Sequence, residues 1–204
     1  MSSEHPSLVL ASGSATRRAL LEAAGLAIDV SPADVDEAAI RDSMRASDAH
    51  VSHESVADAL AAEKARAVSE KKPTALIIGA DQVLSFEGRL FEKPASIEEA
   101  RAQLIELRGK THALHSAVAL ARGGNIEWRH IETAKLKLRA FSDAALDAYL
   151  LRAGEAVTTS VGAYQIEGPA IQLFESIDGD HTTILGLPVL PLLAELRRRE
   201  VIIA

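Results

Sequence analysis

The fold of this chain is decided by residues 75–80, which read Ala-Leu-Ile-Ile-Gly-Ala. A short run that is apolar on both faces predicts a strand in the centre of a sheet. A helix pattern precedes this run, begins at Ser52 or Ser55 and ends at Lys71, before Lys72-Pro73. A long helix followed by a buried strand indicates an α/β protein.

The same patterning predicts the elements on either side of this strand. Strands are expected at residues 7–11, 27–30, 83–86, 89–91, 111–121, 126–138 and 171–177, and helices at 16–24, 96–107, 142–152 and 188–199. Residues 34–48 are acidic and weakly patterned and predict a loop with a helical turn, while residues 201–203 predict a short strand. We therefore expect a mixed α/β fold in which helices flank a long-stranded sheet, with two lobes around a cleft, in one domain over residues 1–204.

Composition excludes several classes of protein. There is no cysteine, so disulfides and thiolate metal sites are excluded, which fits a reducing compartment and the cytoplasm. The net charge of −7 disfavours a broad electrostatic grip on nucleic acid or on an anionic membrane. No apolar run approaches the ~18 residues of a membrane span, and residues 1–6 lack a signal-peptide pattern. We expect a small anionic ligand rather than nucleic acid or a membrane.

The loop Ser12-Gly13-Ser14 stands between the first predicted strand and the first predicted helix. Such a junction directs backbone N–H groups, two hydroxyls and a helix N-terminus at one point, which favours an anion. Arg17 and Arg18 follow and add guanidinium groups suited to phosphate oxygens. The loop lacks the Gly-Lys-Ser/Thr of a Walker A motif. The alternative for this segment alone is a turn and cap followed by two solvated arginines.

Asp81 directly follows the central apolar run. Ligand and catalytic groups gather where such strands leave a sheet, and a carboxylate there can hold Mg²⁺ or accept a proton from an attacking water. Glu37 and Lys64 are candidates to join it, and Lys93 offers a cation for a phosphate chain. The alternative is that Asp81 only caps a turn.

Taken in order, these motifs resemble the Maf family, the septum-formation-inhibitor-like nucleotide pyrophosphatases. The resemblance spans residue 8 to about residue 198 and rests on several separate stretches. They are Leu-Ala-Ser-Gly-Ser-x-x-Arg-Arg-x-Leu-Leu at 10–21, Val-Asp-Glu at 35–37, Glu-Lys-Ala at 63–65, Gly-Ala-Asp-Gln-Val and Gly-Arg-Leu-Phe-Glu-Lys-Pro between 79 and 94, Gly-Ala-Tyr-Gln-Ile-Glu-Gly at 162–168, and Gly-Asp-His-Thr-Thr-Ile-Leu-Gly-Leu-Pro at 179–188.

The resemblance implies a fold like that of the inosine-triphosphate pyrophosphatases. It implies a house-cleaning hydrolase, possessing a divalent metal such as Mg²⁺ or Mn²⁺, that converts a nucleoside triphosphate to the monophosphate and pyrophosphate. Carried over by position, Asp81 is the general base, and Glu37 and Asp81 hold the metal. The residues expected to hold phosphates are Ser12, Ser14, Arg17, Arg18, Lys64 and Lys93. The family also suggests a homodimer.

Three positions bear on the nucleobase: Thr16, Gln82 and Glu167. Asp81-Gln82 together with Glu167 resembles the pattern of the 7-methyl-GTP pyrophosphatase subgroup. In the dTTP/UTP pyrophosphatases the Asp is followed by Thr, and Gln stands at the position of Glu167. A carboxylate accepts both N–H donors of a guanine edge, which fits Glu167 to a guanine-type base. Thr16 stands where the subgroups have Arg or Trp and offers no aromatic plane, so a requirement for the methyl group stays open. A dTTP/UTP enzyme and a non-catalytic nucleotide-binding regulator of cell division are the alternatives.

Four other residues are not interpreted as sites. His112 and His115 lie three apart on a predicted strand, which places them on opposite faces rather than together as a metal pair. Trp128 and Tyr149 are expected to pack in the interior.

Overall fold

The computed structural model describes residues 6–48 and 50–203. Strands are β1 (Leu8–Leu10), β2 (Ile28–Val30), β3 (Leu76–Phe86), β4 (Arg89–Phe91), β5 (Thr111–Arg122), β6 (Asn125–Leu138) and β7 (Phe174–Asp178). Helices are α1 (Ala15–Ala23), α2 (Glu37–Ser47), α3 (His53–Lys71), α4 (Ile97–Leu107), α5 (Asp143–Ala153), α6 (His181–Ile184) and α7 (Val189–Arg198), with 3-10 turns at Gly154–Thr158, Val161–Ala163 and Pro169–Leu173. The predicted mixed α/β fold, a mixed sheet with flanking helices, is confirmed. Across the described residues, no helix is long and apolar enough to cross a membrane.

Three local predictions were wrong. The predicted loop at 34–48 contains the 11-residue helix α2, capped by the Asp36 carboxylate, which accepts a hydrogen bond from the backbone of Ala39 at 2.9 Å. No residue of α2 is buried and the helix is polar on average, so it lacks the strongly apolar face on which the other helices were predicted. Residues 201–203 form no strand, and β7 begins at Phe174 because the preceding five residues form a 3-10 turn.

The chain divides into two compact units. Unit 1 comprises the described residues of Met1–Gln82, His115–Glu132 and Asp180–Ala204, and unit 2 those of Val83–Leu114 and Thr133–Gly179. The strands β3, β5 and β6 each contribute residues to both units. The expectation of one domain with two lobes around a cleft stays a prediction.

Unit 1 is built on the parallel strands β2, β1 and β3. β1 pairs with both neighbours over its whole length, with Leu8 opposite Ile28 on one side and Leu76 on the other. The strand order continues through β5 to β6. Apolar side chains of β1, β3 and β5 pack with those of α1 and α7 in one core, which accounts for one apolar face of β3.

Gly79 allows α3 to lie directly against β3. A Cβ atom at this position would stand 2.2 Å from the Ala61 carbonyl oxygen and 2.6 Å from the Ala65 nitrogen, so no other residue fits. The backbone contact is with the turn of α3 that contains Lys64. The approach therefore sets the distance between Lys64 and the residues of β3 that follow Gly79.

Unit 2 contains two antiparallel pairs. β4 pairs with β3, with Leu84 opposite Phe91, and β7 pairs with β6, with Leu136 opposite Ile177. The helices α4 and α5 contribute buried leucines, and Arg108 at the end of α4 pairs with Asp143 at the start of α5 at 2.7 Å. This unit carries the remaining predicted site residues, Lys93 and Glu167.

Candidate active site

Asp81 lies inside β3 rather than after its end, which corrects the predicted position. The reason is that β3 outlasts β1: the β1 pairing ends with Leu10 opposite Ile78, and the Ala11 nitrogen makes one further bond to the Ile78 carbonyl at 2.8 Å. Beyond that point the first chain turns into the loop at Ser12. Asp81 thus stands where β3 has lost its β1 neighbour, and it is only 6% exposed.

The Lys64 ammonium group bridges two carboxylates. Its Nζ lies 2.5 Å from Asp81 Oδ1 and 2.7 Å from Glu37 Oε1. The Lys64 side chain is 12% exposed, so the pair with Asp81 is largely shielded from water. Residues from three elements, α2, α3 and β3, therefore meet at one cation.

Burial and charge act in opposite directions on Asp81 and Arg17. Burial raises the pKa of the Asp81 carboxyl above its usual value, and the charges of Lys64 and Arg17 partly offset this. Burial likewise lowers the pKa of the Arg17 guanidinium, against the charges of Asp81 and Glu37. The guanidinium stays protonated in either case, so the site keeps two fixed cations beside a carboxylate with raised proton affinity.

The Ser12-Gly13-Ser14 loop is organised by its own hydroxyl groups. Ser14 caps α1, and its Oγ accepts a hydrogen bond from the Arg17 backbone at 3.3 Å. The Ser12 Oγ accepts from the Ser14 nitrogen at 3.2 Å and from Arg17 Nη1 at 3.3 Å. The loop and its arginine therefore form one hydrogen-bonded unit at the N-terminus of α1.

Arg17 is anchored on three sides. Besides the bond to Ser12, its Nη1 donates to the Ala80 carbonyl at 2.9 Å and its Nε donates to the Gly186 carbonyl at 2.8 Å. Within the described part of the chain, Nη2 has no hydrogen-bond partner. The fixed guanidinium thus keeps one amino group for an incoming anion.

Arg18 and Thr16 lie differently. The Arg18 side chain is exposed and its Nε pairs with Glu22 one turn further along α1, at 2.7 Å. Its predicted phosphate contact therefore has no support from the geometry, because an exposed pair on a helix surface accounts for its position. Thr16 is half-buried in the first turn of α1.

The amide nitrogen of Gln82 is used within the protein. Nε2 donates to the Ser116 hydroxyl at 2.9 Å and faces the carbonyl oxygens of Thr183 at 3.2 Å and Ile184 at 3.0 Å. Because two carbonyl oxygens require a donor here, this end of the amide is the nitrogen. An amide has two N–H donors, so Gln82 has none left for a nucleobase. The geometry therefore does not support a role of the Gln82 amide nitrogen in selecting the base.

Lys93 and Glu167 belong to unit 2, where both are exposed. Glu167 lies in a turn closed by the hydrogen bond from the Gly168 nitrogen to the Gln165 carbonyl, 3.1 Å. The segment before it is fixed by buried bonds: Tyr149 donates to the Ala163 carbonyl at 2.8 Å, and Tyr164 Oη lies 2.6 Å from His112 Nε2.

The Glu37 and Asp81 carboxylates fit a divalent metal that is bound together with the substrate phosphates. Across residues 6–48 and 50–203, no three His, Asp or Glu side chains come together as a metal site. Glu37 and Asp81 nevertheless flank one cation, the Lys64 ammonium, at bonding distance. Mg²⁺ is commonly held by one or two carboxylates together with waters and substrate phosphates, and two carboxylates are what this site provides.

Sequence reasoning missed Ser116, Thr183 and Gly186. Ser116 is fully buried, and its hydroxyl donates to the Thr183 carbonyl at 2.7 Å. A single hydroxyl between Leu114 and Ala117 in an apolar strand was a signal, since a buried polar group needs a partner. Thr183 and Gly186 lie in the motif at 179–188, but the sequence did not indicate that Gly186 contacts Arg17, because the contact spans 169 positions of the chain.

Comparison with known proteins identifies the family of this chain. The family described as Maf-like protein matches residues 7–199. This chain belongs to that family. A "7-methyl-GTP pyrophosphatase" of Brucella abortus biovar 1 (strain 9-941) is 51% identical over 195 residues, 96% of this chain and 97% of the relative. A "Nucleoside triphosphate pyrophosphatase" of Caulobacter vibrioides (strain ATCC 19089 / CIP 103742 / CB 15) is 51% identical over 190 residues, 93% of this chain and 94% of the relative.

A solved structure also matches this Maf-like chain, at a lower level. The HAM1 protein of Coxiella burnetii has 18% sequence identity and a TM-score of 0.45, over 67% of this chain and 74% of its own. No conclusion about the fold rests on a likeness of this degree.

Proposed function

We propose that this chain hydrolyses a nucleoside triphosphate to the monophosphate and pyrophosphate. The observation that carries the proposal is the Asp81 carboxylate, buried in β3, held 2.5 Å from Lys64 and raised in pKa by burial. A carboxylate of raised proton affinity between fixed cations suits a base that acts next to a polyphosphate. The names of relatives at about half identity over nearly the whole chain support the same activity.

Asp81 accepts the proton of the attacking water. Water adds across the phosphoanhydride bond between the α- and β-phosphates, which breaks that bond and yields the nucleoside monophosphate and pyrophosphate. One proton of the water goes to the Asp81 carboxylate and then to solvent. The pKa of Asp81, raised by burial, strengthens it as a base.

The cations hold the triphosphate and stabilise charge that develops on it. Arg17 presents Nη2 from a guanidinium already fixed by Ser12, Ala80 and Gly186. Lys64 supplies a second cation, and the N-terminus of α1 supplies backbone N–H groups. Donors that are fixed before the substrate arrives need no reorganisation during the reaction, which is the main source of electrostatic catalysis.

A divalent metal is part of this proposal. Glu37 and Asp81 would hold it through their carboxylate oxygens, in the space that the Lys64 ammonium borders. When bound with the triphosphate, Mg²⁺ or Mn²⁺ would neutralise phosphate charge. Asp81 would then hold the metal and also accept the proton of the attacking water.

For the base, we propose that Glu167 selects a guanine-type nucleotide. Its carboxylate is exposed on the turn at 166–168 and accepts hydrogen bonds only, which fits the paired N–H donors of guanine. The Gln82 amide nitrogen already donates to Ser116 and faces two carbonyl oxygens, so it has no donor left for the base. Glu167 is therefore the residue proposed to hydrogen-bond the base. A dTTP/UTP preference is the alternative, and the 7-methyl group is left to experiment because Thr16 has no ring to stack on it.

The activity is tested by a screen of canonical triphosphates and 7-methyl-GTP with Mg²⁺ or Mn²⁺, with pyrophosphate and inorganic phosphate measured separately. We expect pyrophosphate release that chelation by EDTA abolishes. Release of single phosphates would overturn the reaction proposed here. Tight binding without turnover in either metal would instead favour a nucleotide-binding regulator.

The base assignment is tested by Glu167→Gln, with Glu155→Gln as the matched control because it is another exposed carboxylate of unit 2. We expect the ratio of kcat/KM for guanine over thymine triphosphates to fall about tenfold, the value of losing one charged hydrogen bond. The control should keep the original ratio. An unchanged ratio in Glu167→Gln would refute the role of this carboxylate.

A further inference from the structure

One of the hydrogen bonds that fix Arg17 is made to a turn that holds no proposed substrate-binding residue. Its Nε donates to the carbonyl of Gly186, in the turn between α6 and α7. This turn is far from Arg17 in sequence and supplies no charged group to the site. The turn bonds to Arg17 through a single backbone oxygen, so the position of that oxygen affects the orientation of the guanidinium group.

The turn is held in place by a second layer of buried bonds. The Gly186 nitrogen donates to the Thr183 carbonyl at 3.0 Å, and Leu187 donates to the Thr182 carbonyl at 3.0 Å. Ser116 donates to the same Thr183 carbonyl at 2.7 Å, and Gln82 Nε2 lies 3.0 Å from the Ile184 carbonyl. β3 and β5 thereby fix two consecutive carbonyl groups of α6, just before Gly186.

Gly186 has a backbone conformation that other residues rarely adopt, and a side chain here would contact both Arg17 and Gln82. Its φ of +97° lies in the region that favours glycine, and a Cβ atom would stand 3.4 Å from Arg17 Nε and 3.6 Å from Gln82 Oε1. A substitution at Gly186 would therefore strain the turn and move the carbonyl oxygen that accepts the Arg17 hydrogen bond.

We infer that Gly186, Ser116 and Gln82 are positioning residues for the Arg17 guanidinium, and that the α6–α7 turn is the template that sets its angle toward the phosphates. Three anchors on different elements, Ser12, Ala80 and Gly186, define the plane of the guanidinium group. Ser116 and Gln82 influence the orientation of the guanidinium group indirectly, by holding the carbonyl groups of α6 that precede the turn. The inference rests on the proposed function, because it gives Arg17 the role of phosphate ligand.

The test is a pair of double-mutant cycles, Ser116→Ala with Arg17→Lys and Gly186→Ala with Arg17→Lys, assayed with the best triphosphate of the screen. We expect kcat/KM to fall about tenfold in Ser116→Ala and about 100-fold in Gly186→Ala, because a misplaced binding group costs up to that much. In the Arg17→Lys background, both substitutions should change kcat/KM by less than about twofold, because the group that they position is gone.

Inorganic pyrophosphate provides a readout that does not depend on turnover. Its inhibition constant should rise in Ser116→Ala and Gly186→Ala as it does in Arg17→Lys. The matched control is Gly25→Ala, which meets the same backbone strain at a φ of +81° but has open space around it. It should lower the melting temperature and leave pyrophosphate inhibition unchanged.

The outcomes separate the two proposals. Full activity of Arg17→Lys would remove the phosphate role of Arg17 and this inference with it. An impaired Arg17→Lys with effects of Ser116→Ala and Gly186→Ala that multiply in the double mutants would overturn the inference alone. If Gly186→Ala does not fold, the Ser116→Ala cycle and its pyrophosphate inhibition decide the matter.

Discussion

Each unit of this protein contains a polar cluster with a buried centre, and the two differ in charge. The charged cluster of unit 1 consists of Arg17, Glu37, Lys64 and Asp81, of which Asp81 is buried and the Glu37 side chain is 41% exposed. The neutral cluster of unit 2 consists of His112, Tyr149 and Tyr164, which are all buried and hydrogen-bonded.

Burial alone drives ionisable groups to their neutral forms, as the neutral cluster shows. Burial lowers the pKa of His112 to about 4 and raises that of Tyr149 to about 12. In the charged cluster, burial acts against opposite charges placed at bonding distance. A buried group therefore stays ionised, and useful for binding an anion, only where a counter-charge comes with it.

The largest effect should come from removing the carboxylate of the charged cluster. Asp81→Asn keeps the shape of the side chain and should lower kcat about 1,000-fold, the value of a general base. His112→Gln, in the neutral cluster, should keep kcat within about threefold of the original enzyme. Pyrophosphate release measures both. Comparable losses in the two variants would remove the functional distinction between the clusters.

Removing the cation of the charged cluster should cost stability as well as activity. Lys64→Met leaves Asp81 and Glu37 without their shared ammonium group and should lower the free energy of unfolding at pH 7 by about 3 kcal/mol. Urea titration measures this, with Lys137→Met as the control, since it breaks an exposed pair with Glu175 worth less than about 1 kcal/mol. Asp81→Asn added to Lys64→Met should restore part of the loss. No restoration would mean that the loss does not come from uncompensated charge.

The neutral cluster should make stability depend on pH. The folded-state pKa of His112 is lowered to about 4, whereas the unfolded chain binds this proton near the ordinary value of 6.5. Between these values only the unfolded state is protonated, so stability is full above pH 6.5 and is lost as the pH falls toward 4. The loss should reach about 3 kcal/mol.

This dependence is measured by urea titration at several pH values, with His112→Gln for comparison. The variant should lose about 3 kcal/mol less than the original protein over this range. His115, whose pKa is also lowered by burial, is present in both proteins and cancels in the comparison. Parallel curves for the two proteins would show that His112 does not titrate in this way.

The smallest effect is expected at Arg18, which lies next to Arg17 in sequence but outside the charged cluster. Arg18→Ala removes an exposed pair with Glu22 and should change stability by less than about 0.5 kcal/mol, with kcat/KM within about twofold. A loss of activity near that of Arg17→Lys would instead return Arg18 to the phosphate site.

Much of the fold was predictable because its signals are local. The apolar run at 75–80 marked β3, and the Gly123-Gly124 turn between two long patterned segments marked β5 and β6. The helix α2 was missed because it is polar on average and buries none of its residues, although its few apolar residues recur at helical spacing. The extension of β3 past Asp81 was missed because pairing on one side of a strand can end while the strand continues.

The candidate site likewise has a part that local sequence predicted and a part that it did not. Adjacent positions in sequence predicted that the loop at Ser12 and the cap at Ser14 belong with Arg17, and the structure joins all three. The sequence could not separate Arg17 from Arg18, because successive residues of a helix point 100° apart and only the packing of α1 decides which of them faces inward.

The sequence by itself determined the residue types, the family motifs and the order of most strands and helices, since these depend on local pattern and on groups adjacent in the chain. The tertiary structure decided which charges compensate one another, that the Gln82 amide nitrogen bonds to Ser116 and to two carbonyl oxygens of α6, and that the Gly186 carbonyl anchors Arg17. The physical reason is distance: the bonds to Ser116 and Gly186 join residues that are 34 and 169 positions apart, and only close packing, such as that of α3 on Gly79, brings such groups within 3 Å.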